Sequence, residues 1–313
     1  MPPAPGPTPD PAQVFDRALH RRRRDRAAGT VHRVAPILED AADRLLDRLD
    51  DTTRRFSRAL DLGGRGVVAP LLRGRGIPFV VSADLSPRMA ALPGAAGPDA
   101  PGRASGLPVA ADEEFLPFAP GSFDLIVANL SLHWVNDLPG ALLQLRRALA
   151  PDGLFLASLP GLGTLQPLRA ALTEAEAALT GGAAPRVSPF PELRDGAALL
   201  QRAGFALPVA DADQVTLRYR DPFALFADLR AAGETNAVRA RDPRTPPRAL
   251  FPLAASRLPA GPGDASEGVA IPLRLLVLTG WAPHESQSRP ARPGSADVRL
   301  ADALGAEEKR LPR

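Results

Sequence analysis

The most chemically suggestive segment of this 313-residue chain is Ala59-Leu60-Asp61-Leu62-Gly63-Gly64-Arg65-Gly66. An apolar strand that ends in an acid and opens through glycines lets the backbone approach a ligand closely. The helix that follows offers its free N–H groups to that ligand. A tight strand-to-helix turn with no ligand has the same composition, so the glycines alone decide nothing. The second candidate is Asp84, followed by Leu85, at the end of the apolar run Ile77–Ser82 and 21 positions (84 − 63) after Gly63. A carboxylate there accepts two hydrogen bonds from a ribose diol. It could equally cap a helix that begins at Ser86-Pro87. The third is the acidic run Asp112-Glu113-Glu114, which leads into Phe115-Leu116-Pro117-Phe118 and then Gly121-Ser122-Phe123-Asp124-Leu125.

Asn129, His133 and Trp134 come just after the apolar run Phe123–Ala128 and are the candidate catalytic residues. An imidazole titrates near neutral pH, so His133 is a candidate general base. The alternative is a loop histidine that positions Trp134. The four histidines, His20, His32, His133 and His284, are far apart and show no ligand spacing, so no metal site is expected. With no cysteine in the chain, thiol catalysis, disulfides and iron–sulfur ligation are excluded.

The elements needed to position these residues can be read from periodicity. Short apolar strands are expected at Arg58–Leu62, Ile77–Ser82, Leu107–Ala110, Phe123–Ala128 and Leu154–Leu159, with helices at Ile37–Leu49, from Val67, and at Leu138–Leu149. Strands and helices alternating in this way predict a doubly wound, mostly parallel α/β sheet with right-handed crossovers. Beyond it, helices are expected at Thr164–Leu179, Glu192–Ala203 and Pro222–Ala232, with strands at Asp213–Tyr219 and Ile271–Thr279. Proline clusters at Met1–Pro11, Pro93–Pro108 and Pro243–Pro262 read as loops. The formal net charge is +3, and all the basic side chains but Lys309 are arginine. The only dense basic run is Arg21–Arg24. It reads as a solvated helix face or a protein-docking patch rather than a nucleic-acid site.

Acid, any residue, acid, any residue, Leu-Pro-Phe, then a turn and Phe-Asp-Leu is the pattern of class I methyltransferases, and Asp112–Phe118 with Phe123–Leu125 resembles it. The resemblance becomes closer in the run Leu130-Ser131-Leu132-His133-Trp134-Val135-Asn136-Asp137-Leu138-Pro139. This run, the opening Phe15-Asp16-Arg17 with Arg24–Ala28, Ser188–Phe205 and Gly280–Gln287 resemble the methyltransferase-like assembly factors of respiratory complex I. The matches run from about Phe15 to Ser295.

That resemblance implies a Rossmann-like class I methyltransferase fold with a helical cover in the C-terminal half, and S-adenosyl-L-methionine as cofactor. The implied cofactor residues are Asp61, Gly63, Gly64, Gly66, Asp84, Leu85, Asp112, Glu113 and Asn129, with Asp84 on the ribose and Asp112 beside the adenine. A protein substrate is implied, with a complex I subunit as the candidate. The reaction is either methylation, as bacterial members are named, or arginine hydroxylation, as the eukaryotic member is described. Carrier-protein methyltransferases of biotin synthesis share part of the pattern, and a non-catalytic assembly factor is the reading from another class. The family loop reads Asp-Leu-Gly-any-Gly-any-Gly, so Asp61–Gly66 is one residue shorter than the pattern.

The expected organisation is a flexible Pro-rich start (1–12), an N-terminal helical region (13–55), the cofactor-binding core (56–160), a cover with the final strands (161–282) and an exposed polar tail (283–313). With no secretory signal and no apolar run long enough to span a bilayer, a cytoplasmic protein is expected, or one on the matrix side of a mitochondrion. Asp84→Ala is expected to weaken cofactor binding and leave the fold intact. Gly64→Val is expected to abolish binding at modest cost in stability.

Overall fold

The computed structural model describes residues 13–94, 106–261, 268–287, 298 and 300–306. Two compact units divide the chain, residues 1–283 and 284–313. Among its described residues the second holds a short helix, α10 (Leu300–Leu304), where an exposed polar tail is expected from the sequence.

The first unit opens with α1 (Arg17–Ala27), capped by Asp16, whose carboxylate accepts from the Leu19 N–H, and α2 (Ala35–Leu46). Five parallel strands follow: β1 (Arg58–Leu62), β2 (Phe79–Asp84), β3 (Gly106–Ala110), β4 (Phe123–Asn129) and β5 (Leu149–Pro160). Between them lie α3 (Val68–Gly74), α4 (Pro87–Ala90) and α5 (Leu138–Ala148). Then come α6 (Gln166–Thr180), α7 (Leu193–Arg202), β6 (Ala206–Tyr219), α8 (Pro222–Ala231), α9 (Leu250–Ser256) and β7 (Val269–Trp281). The seven strands form one sheet in the order β3-β2-β1-β4-β5-β7-β6, with β7 antiparallel to both β5 and β6.

Alternation along each central strand feeds two cores. Ala59, Leu125, Val127, Leu154 and Leu156 point to the face covered by α2 and α3. Leu60, Ile126, Ala128 and Phe155 point to the face covered by α5 and α7. Strands buried on both sides must be apolar throughout, which is why they are legible in the sequence. A third, smaller core joins α6, α8 and α9, with Leu168, Leu172, Leu225, Phe226 and Leu250 at its centre. This is the cover.

Three elements depart from the sequence reading. The proline-rich stretch 243–262 contains α9, because Pro252 sits in the first turn, where its missing N–H costs no helical bond. Strand β5 begins at Leu149, so the expected stop at Ala150–Gly153 is an irregularity within the ladder, with Asp152 at φ +60°. The Arg21–Arg24 run is not uniformly solvated: Arg21 and Arg22 are exposed, whereas Arg24 is fully buried. The expected loop residues 1–11 and most of 93–108 lie outside the described residues. Among the described residues, no helix is long and apolar enough to cross a membrane.

Candidate functional site

The chain reverses direction across the sheet between β1 and β4, and an open parallel sheet receives ligands at the carboxyl ends flanking such a point. The register aligns Asp61 with Ser82, Leu62 with Ala83 and Asp84 with Ala110, so the expected acids end their strands on this one edge.

The glycine turn is built around Asp61. Gly63, at φ +71°, donates to the Ala83 carbonyl at 2.7 Å, and a Cβ on it would lie 2.5 Å from Ser131 Cβ. Gly64 has an ordinary φ but no room: a Cβ there would lie 2.5 Å from the Asp61 carboxyl carbon. The Val67 N–H closes the turn on the Gly64 carbonyl at 2.9 Å. Gly66 is at φ +79°, and Arg65 between the two is itself left-handed at φ +53°. Residues with a Cβ rarely adopt that conformation and need neighbours that hold them there. The buried Arg65 guanidinium donates to the Leu130 carbonyl at 2.8 Å and pairs with Glu234. Burial lowers its pKa to about 10.

Asp61 is buried, its Oδ2 accepts from Ser82 Oγ at 3.3 Å, and its Oδ1 has no partner. Burial pushes its pKa up to about 7.

The other two acids are not free. Asp84 is 2% exposed; Arg24 Nε donates to its Oδ1 at 3.0 Å, and Arg24 Nη2 pairs with Oδ2. Burial opposes the charge on Arg24, but Asp84 outweighs it and the guanidinium is held above its usual range. The Ser86 N–H also donates to Asp84 Oδ1 at 2.8 Å, while Ser86 Oγ caps α4. Arg17 donates to Asp112 Oδ1 at 2.6 Å and pairs with the buried Glu113. Burial raises Glu113 despite that partner. Leu85 is buried beside them.

The candidates after β4 separate. Asn129 Nδ2 donates to the Leu38 carbonyl at 3.0 Å, and its Oδ1 accepts from Ser158 Oγ at 2.8 Å. Its amide ties α2 to β5, and it is not among the residues lining the neighbouring cavity. His133 and Trp134 form a 3-10 turn, and both donate to Glu234 Oε2, at 2.8 and 2.6 Å. Burial would raise Glu234, but His133 and Arg65 outweigh it and hold the carboxyl far below its ordinary value. Trp134 stacks on His20 at 4.8 Å between ring centroids and takes Phe15 edge-on at 5.2 Å.

His133, Trp134, Arg65 and Glu234 line a cavity of about 520 Å³ beneath the cover, together with residues such as Tyr219 and Arg186. Sequence reasoning missed Arg17, Arg24, Arg65 and Glu234 as members of this site. Glu234 follows a glycine in an irregular segment, and no periodicity marks it. Arg17 was visible in the opening motif but not its partner. Among the described residues, no group of three or more His, Asp or Glu is placed to hold a metal ion.

The strand order, the glycine turn and the three acids at one sheet edge define a class I methyltransferase fold. Residues 19–208 match the family model described as a methyltransferase domain. The chain is 37% identical over 292 residues to a zebrafish (Danio rerio) protein named arginine-hydroxylase NDUFAF5, mitochondrial, covering 92% of this chain and 89% of that one. It is 36% identical over 254 residues to a malonyl-[acyl-carrier protein] O-methyltransferase of Halorhodospira halophila, covering 80% and 82%. The crystal structure of the YcgJ protein of Bacillus subtilis superposes with a TM-score of 0.52 at 15% identity, over 77% of this chain and 98% of that one. The chain belongs to the methyltransferase-domain family and, within it, to the family of the NDUFAF5 arginine-hydroxylases.

Proposed function

We propose that this chain is an S-adenosyl-L-methionine-binding enzyme that modifies a protein substrate during assembly of respiratory complex I, in the cytoplasm of a bacterium or on the matrix side of a mitochondrion. The observation that carries this reading is the convergence of Asp61 and its glycine turn, Asp84, and Asp112–Glu113 at the carboxyl ends of β1, β2 and β3. The kinship with the NDUFAF5 proteins supports the choice of partner.

The unpartnered, buried Asp61 Oδ1 fits the ammonium of the cofactor's methionine end. Gly63, Gly64 and Gly66 form the turn beside it, with Gly63 and Gly66 at positive φ, Asp84 is the acceptor for the ribose diol, and Asp112 with Glu113 that for the adenine amine. The bound cofactor supplies an electrophilic methyl group on a sulfonium. The chain's own contribution is to align a substrate atom with that methyl group and exclude water, which such transfers need more than a strong base. The cavity lined by His133 and Trp134 adjoins the glycine turn through Arg65 and is the place for that atom.

Two measurements test the reading. The first is calorimetric titration with S-adenosylhomocysteine, where no binding at millimolar ligand would leave a non-catalytic assembly factor. The second is mass spectrometry of complex I subunits from a deletion strain and its complemented parent. A methyl group missing from one subunit in the deletion strain supports methyl transfer. A missing oxygen on an arginine supports the activity in the relatives' name, and neither change sinks the enzyme reading.

A pH dependence follows from Asp61. The ligand ammonium requires the carboxylate, but burial keeps Asp61 protonated up to about pH 7 in the free protein. Asp84 on β2 adds to that shift, and Arg73 on α3 opposes it. Binding must therefore release a proton below about pH 7, and affinity should fall by up to about tenfold per pH unit as pH drops below that point. Above it, affinity should level off. Adenosine, which lacks the amine, should show no such slope. Equal slopes for the two ligands would remove Asp61 from the methionine subsite.

A further inference from the structure

One face of α1 carries Arg17, His20, Arg24 and Ala27, at the spacing of successive helical turns. An amphipathic helix normally buries hydrocarbon on such a face. Here His20 and Arg24 are both buried, and Arg17 is nearly so. Their destinations are the two acidic stations of the nucleoside subsite, with Arg24 on Asp84 and Arg17 on Asp112 and Glu113. A guanidinium laid along a carboxylate uses both oxygens, the same two atoms that a ribose diol would bond. Asp84, with its Oδ1 also taken by Ser86 N–H, keeps no open side. Asp112 is less covered, with 29% of its side chain exposed. The ribose station is thus closed and the adenine station half open.

Arg24 cannot make way by rotating alone, because its own side chain is 2% exposed and enclosed by protein. The helix must shift, and its ends are tied differently. At the start, Asp16 N–H donates to the Ala237 carbonyl at 2.8 Å, Arg239 N–H donates to the Val14 carbonyl at 2.8 Å, and Arg241 reaches Asp16. At the far end, Ala27 and the following Val31 sit in the main core. The middle of α1 rests on ion pairs and on the His20–Trp134 stack.

We infer that α1 is a cationic clasp over the nucleoside half of the cofactor site, with Arg24 and Arg17 competing with the ribose and the adenine for Asp84 and Asp112–Glu113. This rests on the cofactor reading above. The clasp serves a site left otherwise with buried, unpaired acids: it satisfies them in the free protein, and the cofactor must displace it to bind. Its cost appears as reduced affinity, in proportion to the population of the closed form.

The test is titration of the full-length protein with S-adenosylhomocysteine in wild type, Arg24→Gln, Arg17→Gln and the double variant, each checked for folding by circular dichroism. The double variant should bind about tenfold or more tightly than wild type, and each single variant should move the same way by less. Wild-type binding with folded variants that bind equally or more weakly overturns the clasp and leaves the cofactor reading standing. No binding by any of the four proteins defeats the cofactor reading and the clasp with it. Should Arg24→Gln not fold, two readouts remain. Arg17→Gln alone tests the adenine station. In a Trp281→Phe background, saturating ligand should change the emission of Trp134, which packs between Phe15 and His20. An unchanged emission with ligand bound means α1 did not move, and the clasp is wrong.

Discussion

Replacing Gly64 by valine should cost about 3–5 kcal/mol of folding stability, far more than a glycine with an ordinary φ would suggest. The backbone conformation tolerates a side chain, but the space does not, because the new Cβ would stand 2.5 Å from the Asp61 carboxyl carbon and from its Oδ2. Overpacking a dense interior costs about 1–3 kcal/mol. Pushing Asp61 off Ser82 Oγ and the Ala69 N–H strands a buried carboxyl for a similar amount again. The modest loss expected from the sequence is thereby corrected: Gly64 is small because of the acid beneath it, not because of its dihedral angles. Urea unfolding measures the effect, and a double-mutant cycle locates its origin. Asp61→Ser should restore most of the loss in the Gly64→Val background, with a coupling energy of about 1 kcal/mol or more. A Gly64→Val protein within about 1 kcal/mol of wild type would show that the turn relaxes freely.

The short loop could be seen in the sequence, but not how it is closed. Arg65 sits in the left-handed region of the short turn, and its side chain is anchored from two sides, at Leu130 and Glu234. Glu234 lies some 170 residues downstream (234 − 65 = 169) in a segment with no periodic pattern, so no local signal connects the two. Strand ends and the acids on them were readable because apolar runs flanked by glycine and acid determine both. Of the long outer strands, β7 extends two residues past the expected Ile271–Thr279 at each end, and β6 begins at Ala206 rather than Asp213. Strand β6 lies at the sheet edge, and Asp211 and Asp213 on it pair with Arg48 and Arg44 of the α2 region, at 2.9 and 2.6 Å. Charged residues on an edge strand are a normal defence against further pairing, and they mask its strand character. Arg24 was misread for the converse reason. Hydrophobic periodicity is blind to a helix face that buries charge, and only the position of Asp84 four elements later explains why an arginine can be there.

That pairing sets the second large expectation: Asp84→Ala should cost about 3–5 kcal/mol, contrary to the intact fold expected for an acid at a strand end. Asp84 and Arg24 are both about 2% exposed, so alanine leaves a guanidinium buried with no partner. The Ser86 N–H loses its acceptor as well. One relaxation limits the damage. If α1 undocks, Arg24 regains water, and the loss then equals the free energy that docking of α1 had contributed. Asp84→Ala should therefore melt lower and show faster hydrogen exchange along Arg17–Ala27 before any change in the central strands. Replacing both partners separates the charge from the packing. Arg24→Leu with Asp84→Ala places hydrocarbon where the pair stood, and exchanging a buried ion pair for apolar groups is often neutral. The double variant should recover most of the stability lost by Asp84→Ala alone, and with it the protection of α1. An Asp84→Ala protein as stable as wild type, with α1 equally protected, would mean that Arg24 finds another acceptor in the folded state. Asp84 would then be held for its ligand rather than for the fold.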